Sequence, residues 1–81
     1  MAERINQASK PIIGTNIKRL RKERGMKAVD VIAKLQLKGI EVNTGTFSKV
    51  ENGRNNPTVS MLMELTQIFE CDYNEFFKEI I

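Results

Sequence analysis

Apolar residues recur along this chain at three- and four-residue intervals, which is the spacing of one face of an α-helix. The first stripe holds Ile13, Ile17 and Leu20 at positions i, i+4 and i+7. Similar stripes follow downstream, and no segment favours a strand. The pattern predicts five helices, over residues 12–24, 27–37, 44–52, about 58–69 and from 72 onward.

Residues with special backbone or capping properties separate the predicted helices. Gly25, Gly39 and Gly53 follow the first three helices, where glycine favours the left-handed conformation that ends a helix. Asn43 and Thr58 stand where N-caps are expected for the third and fourth helices. Five short helices with short connections predict an all-α fold, a compact bundle.

The length of 81 residues is that of one small domain. Residues 1–10 are polar, and we expect them to form a flexible N-terminal arm, with residues 11–81 forming the domain. No apolar run approaches the roughly 18 residues that would span a bilayer, and the N-terminus lacks the apolar core of a secretory signal. We therefore expect a cytoplasmic protein with no membrane contact.

Residue types that support catalysis or metal binding are scarce. The chain has no histidine and a single cysteine, which excludes an internal disulfide and leaves almost no basis for a zinc site. Cys71 has no basic neighbour in the sequence, so we expect a buried structural thiol, with a redox sensor as the alternative. No glycine-rich phosphate loop precedes a helix. We expect no enzyme, no catalytic residue, no metal, no cofactor and no small-molecule ligand.

Charge is distributed unevenly along the chain. Residues 1–54 hold 12 of the 13 Lys and Arg residues and five of the ten acids, a balance of +7. Residues 55–81 have a balance of −4. A positive side favours a polyanionic partner such as nucleic acid. The alternative is that the basic run from Lys18 to Arg24 is only the solvated face of an amphipathic helix.

The second and third predicted helices, with their connection, form a candidate helix-turn-helix. In that motif the second helix enters the DNA major groove. Phe47 and Val50, with Val42 just ahead, would anchor the third predicted helix to the domain. Its opposite face would carry side chains able to reach base edges, with Thr46 at the boundary. The residues expected to contact bases are Thr44, Gly45, Thr46, Ser48 and Lys49.

Four blocks of sequence resemble the Cro/repressor-type, or XRE-family, helix-turn-helix domain, which is lambda-repressor-like. They are "IGTNIKRLRKERGM", "VIAKL", "TFSKVENGRNNP" and "LMELTQIFECDYNEFF", and they extend from Ile13 to Phe77. The resemblance implies a five-helix bundle that contains the helix-turn-helix. The chain departs from the family in Ala28, where glutamine is usual, and in Ile32, where a small alanine is usual. Its connection between the second and third helices is about five residues longer.

The resemblance also implies roles for individual residues. Arg21 would pair with Glu51 and fix the first helix against the third. The start of the second helix and the turn after the third would lie against phosphates, and a helix N-terminus suits an anion. The expected phosphate contacts are Arg19, Lys22, Lys27, Ala28, Asn43, Asn52, Arg54 and Asn55.

These observations lead to two hypotheses of function. The first is a sequence-specific transcriptional regulator, expected to be a repressor, that binds double-stranded DNA at an inverted repeat. It would act as a homodimer through the apolar C-terminal region, with half-sites about 10 bp apart. The alternative is a protein-interaction module on the same fold, such as an antitoxin or an anti-regulator, which the acidic and apolar C-terminal half favours.

Overall fold

The computed structural model describes residues 3–5 and 12–79. It confirms an all-α architecture in this part of the chain. Four α-helices follow one another: α1 Ile12–Glu23, α2 Ala28–Leu37, α3 Thr44–Glu51 and α4 Val59–Phe69. A 3-10 helix, Tyr73–Phe77, comes last. None of the described helices has the length and apolar character needed to cross a membrane.

The helix boundaries follow the predicted caps closely. The Asn43 side-chain oxygen accepts a hydrogen bond of 2.8 Å from the Thr46 amide, and the Thr58 hydroxyl accepts one of 3.0 Å from the Met61 amide. Both residues are therefore N-caps as predicted. Helix α2 ends before Gly39, whose φ is +83°, and the next amide, on residue 40, bonds back to the carbonyl of residue 35. This is the bond that closes a Schellman motif.

The core lies where the helices meet. Helix α1 packs against α3 and the 3-10 helix, while α2 packs against α3 and α4. Most apolar positions of the predicted stripes are buried there, including Val42 in the connection ahead of α3. The largest fully buried side chains include Phe47, Phe69 and Phe76.

The last predicted α-helix is instead a 3-10 helix of five residues. Its end is held by Asn16, a fully buried side chain in α1. The Asn16 amide nitrogen donates to the carbonyls of Phe76 at 2.9 Å and Lys78 at 2.7 Å. These two bonds tie the end of the 3-10 helix to α1, and the backbone at Lys78 is extended.

The N-terminal residues that the structure describes are attached to the domain. Arg4 forms an isolated antiparallel bridge with Thr58. The Ile5 amide donates to the Pro57 carbonyl and the Val59 amide to the Glu3 carbonyl, each at 2.9 Å. The remainder of the expected arm, residues 1–2 and 6–10, lies outside the described residues, so its flexibility stays a prediction.

Candidate nucleic-acid interface

Helix α3 has one buried face and one exposed face. Phe47 and Val50 are buried, as the anchoring role requires. The other face presents small and hydrogen-bonding groups together with one cation. Of the residues predicted to contact bases, Thr44, Gly45, Ser48 and Lys49 are exposed, and Thr46 is half-buried. The structure thus brings all five onto or beside one surface.

An ion pair joins α1 to the last residue of α3. Arg21 donates from Nε to Glu51 Oε2 at 2.8 Å and from Nη2 to Glu51 Oε1 at 3.1 Å. The two side chains are 12% and 7% exposed. Arg21 also donates to the Met26 carbonyl at 3.1 Å. The bidentate geometry fixes both distance and angle between the helices, so this pair orients α3. It is the pair that the family resemblance implies.

A glycine lets α1 approach α3 closely. A Cβ atom added at Gly14 would lie 2.1 Å from the Val50 carbonyl oxygen and 2.9 Å from that of Glu51. Any larger residue would have to displace the backbone at the C-terminal end of α3. The orientation of α3 therefore depends on a missing methyl group as well as on an ion pair.

The long connection between α2 and α3 is fixed at several points. The Gln36 side chain donates to the Val42 carbonyl at 2.9 Å. Val42 is buried, and Ile40 packs against the core. The connection therefore has a defined path, and it ends at the Asn43 cap. Asn43 was also expected to contact phosphate; the cap engages only its side-chain oxygen, and the exposed side-chain amide nitrogen is the group that could donate to a phosphate.

The turn after α3 keeps its polar side chains at the surface. Gly53 has φ of +79°, and the Arg54 and Asn55 amides both donate to the Lys49 carbonyl, at 2.7 and 3.2 Å. The Arg54 side chain is exposed, and that of Asn55 is half-buried. Asn52 donates weakly to the Ser48 hydroxyl, at 3.4 Å. This turn thus continues the exposed face of α3.

The N-terminus of α2 differs from the expected phosphate site. Lys27 is exposed, and Ala28 is half-buried against the core. The Asp30 carboxylate accepts the Lys27 amide hydrogen bond at 3.1 Å. An acidic side chain therefore already occupies the Lys27 amide at this helix end, and the exposed Lys27 side chain is the group there that remains a candidate for a phosphate. Sequence reasoning missed Asp30, although its position three residues after Lys27 is that of a capping-box acid.

Several residues of the basic run from Lys18 to Arg24 have partners within the domain, and Arg19 is one of them. Arg19 forms ion pairs with Glu23 at 3.2 Å and Glu75 at 3.0 Å, and it also donates to the Asn16 side-chain oxygen. Burial acts to lower the pKa of Arg19, but the bonds and charges of Glu75 and Glu23 prevail and raise it. Its charge is therefore balanced on the side of the 3-10 helix, and its contact with a phosphate stays a prediction.

Two other basic residues of the run from Lys18 to Arg24 have different surroundings. Arg24, just after α1, donates to the carbonyl of Phe69 at the end of α4, so it has a structural role. Lys22 is exposed, and its predicted phosphate contact needs no rearrangement of a bond that the structure describes.

The Cys71 thiol is half-buried beside the core. Burial raises its pKa; Arg24 acts against this rise, while Glu75 and Asp72 add to it. Arg24 was not predicted as a basic neighbour of Cys71, yet the effect of burial on the thiol pKa is larger than that of Arg24. The group is a protonated thiol at neutral pH, which favours the structural role over the redox sensor.

Comparison with protein-family models, with curated proteins and with solved structures finds no match to this chain.

Proposed function

We propose that the chain is a sequence-specific DNA-binding regulator, a repressor in its simplest form, in which α2 and α3 act as a helix-turn-helix. The observation that carries the proposal is the exposed polar face of α3, whose opposite face is anchored by Phe47 and Val50 and oriented by the Arg21–Glu51 pair. Rigid support of a short polar helix is what base readout needs, because a base contact tolerates little misplacement.

The proposed mechanism separates affinity from specificity. Lys22, Lys27 and Arg54 would neutralise phosphates, which gives a sequence-independent attraction that weakens with salt. Lys49 would bond to guanine, and the hydroxyls near it would bond to base edges or contact a thymine methyl. Gly45 adds no side chain to the surface. An added Cβ there would lie 3.5 Å from the Asn43 side-chain oxygen, an ordinary contact, so the position can accept a methyl group.

Two copies would bind the two halves of an inverted repeat. The C-terminal region offers exposed apolar side chains for the contact between copies, namely Tyr73 and Phe77. Phe76 belongs to the core instead. Residues 80–81, which were also expected at this contact, lie outside the described residues.

The decisive test selects bound duplexes from a random DNA pool and then measures affinity for the selected site at several salt concentrations. Lys49→Ala should weaken the selected site by about 1–3 kcal/mol and relax the choice of one base. Arg54→Ala should weaken all sequences alike and lower the salt slope by about one. Lys78→Ala, at an exposed lysine beyond the 3-10 helix, is the matched control and should change neither. Wild-type protein that enriches no sequence would contradict the proposal.

The second candidate is a protein-interaction module, and the exposed Tyr73 and Phe77 favour it. A partner that docks on the C-terminal region would be indifferent to Lys49→Ala and Arg54→Ala. It would be lost with Phe77→Asp. These three variants separate the two functions.

A further inference from the structure

A furrow runs along the side of the bundle where α2 packs against α4. It contains two adjoining recesses of about 480 and 340 Å³, and Lys38 lines both. We call this surface the α2–α4 seam. Six residues define it: Lys34, Leu37 and Lys38 from the end of α2, and Glu64, Ile68 and Glu70 from α4 and its cap.

Two features of the seam are incompletely satisfied in a single copy of the chain. Leu37 is 87% exposed beside the larger recess. Glu64 Oε2 is buried without a hydrogen-bond partner among the described residues, and Lys38 Nζ lies 4.0 Å away. Buried carboxylate oxygens in native proteins nearly always have a partner. An apolar side chain without cover and a buried oxygen without a donor both indicate that something else completes this surface.

The two sides of the seam carry opposite charges. The α2 side carries Lys34 and Lys38, and the α4 side carries Glu64 and Glu70. A wholly basic or wholly acidic partner would meet repulsion along one side. A surface with equal charge of both signs on opposite sides is complementary to itself. The occupant that fits is a second copy of this chain.

The charge pattern also selects the symmetry of that contact. A two-fold axis parallel to the seam places α2 of each copy over α4 of the other. Lys38 of the second copy then faces Glu64, and Leu37 of the second copy faces Ile68 across the larger recess. An axis across the seam would instead place α2 over α2, with lysine against lysine. We propose that the α2–α4 seam is a self-association surface, on which a second copy binds about a two-fold axis parallel to the seam.

The seam is separate from the other surfaces of the molecule. No residue of α3 lines either recess, and neither does Tyr73 or Phe77. Association through the seam therefore leaves the polar face of α3 accessible. The proposal does not depend on DNA binding.

Sedimentation of the full chain over a wide concentration range tests the proposal. The wild-type mass should rise above the monomer value of 9.3 kDa as concentration increases. Leu37→Glu should weaken association at least tenfold and keep the helical circular-dichroism spectrum, because the side chain is already exposed. Val29→Glu is the matched control, a 58% exposed residue in the first turn of the same helix, and it should associate like wild type.

Charge reversal provides the second measurement. Lys38→Glu and Glu64→Lys should each weaken association, and the double reversal should restore it, since lysine again faces glutamate across the axis. A wild-type protein that stays monomeric at every concentration would overturn the proposal. So would a Leu37→Glu protein that associates normally, including the case in which Phe77→Asp alone abolishes association.

Discussion

The two sides of α1 are held in opposite ways. Toward α3, the contact depends on the absence of a side chain at Gly14 and on the Arg21–Glu51 ion pair, which is almost fully removed from solvent. Toward the 3-10 helix, it depends on the buried Asn16 amide and on Arg19, whose side chain is 22% exposed. The first contact orients α3, whereas the second ties the 3-10 helix to α1.

The difference shows how similar residues acquire different roles. Arg19 and Arg21 lie two positions apart on α1, so they point to different neighbours. Each finds a glutamate, but the Arg21–Glu51 pair is the less exposed of the two, and it is bidentate. An exposed pair contributes about 0–1 kcal/mol, whereas breaking a buried one leaves an uncompensated charge. Both pairs join an arginine to a glutamate, and the extent of burial determines how much each contributes to stability.

Glu51→Ala is the substitution with the largest expected effect on the contact between α1 and α3. The change leaves the Arg21 guanidinium without its carboxylate at a site that is only 12% exposed. We expect a loss of about 3–5 kcal/mol in the free energy of unfolding. Urea denaturation measures it, with Glu75→Ala on the other side of α1 as the control, expected to cost about 1 kcal/mol or less. Equal losses for the two variants would show that burial does not separate the pairs.

Gly14→Ala tests the close approach itself. The added methyl group would meet the Val50 carbonyl, and we expect a loss of about 1–3 kcal/mol from overpacking. Gly45→Ala is the matched control within α3. It meets only an ordinary contact and should stabilise the helix by about 0.5–1 kcal/mol. Gly14→Ala protein that folds as stably as wild type would mean that α1 and α3 have room between them.

Asn16→Ala sharpens the comparison on the other side. It leaves the Phe76 and Lys78 carbonyls without their donor, at a cost of about 1–3 kcal/mol. If the two sides of α1 act separately, the folded Asn16→Ala protein should keep wild-type affinity for a selected DNA site. Gly14→Ala should lose affinity beyond its folded fraction. Equal losses of DNA affinity in the two variants would show that the two contacts of α1 act as one unit.

Local features of the fold could be predicted from the sequence, because their causes lie within a few residues. The Asn43 and Thr58 caps and the glycine ends follow from side-chain and backbone preferences over one turn. The prediction of an α-helix from residue 72 onward was wrong, and the contacts of this segment are not local. The Asn16 side chain that bonds to it lies about 60 residues away in the sequence, and no pattern in residues 72–79 indicates that bond.

The candidate interface likewise has features that the sequence predicts and features that it does not. The two faces of α3 follow from periodicity, and the Arg21–Glu51 pair came from the family resemblance. The ion pair of Arg19 with Glu75 could not be predicted, because nothing in the basic run indicates which of its residues meets Glu75. The role of Gly14 was missed for a related reason. A glycine inside a helix indicates a close approach only when the neighbouring backbone is known.

The pairing of residues 3–5 has a practical consequence. Glu3 and Ile5 bond to the backbone on either side of Thr58, just after the turn that follows α3. These bonds place residues 3–5 beside the segment that joins that turn to α4. A purification handle that disturbed this pairing would also disturb the start of α4, and it should be removed before any binding assay.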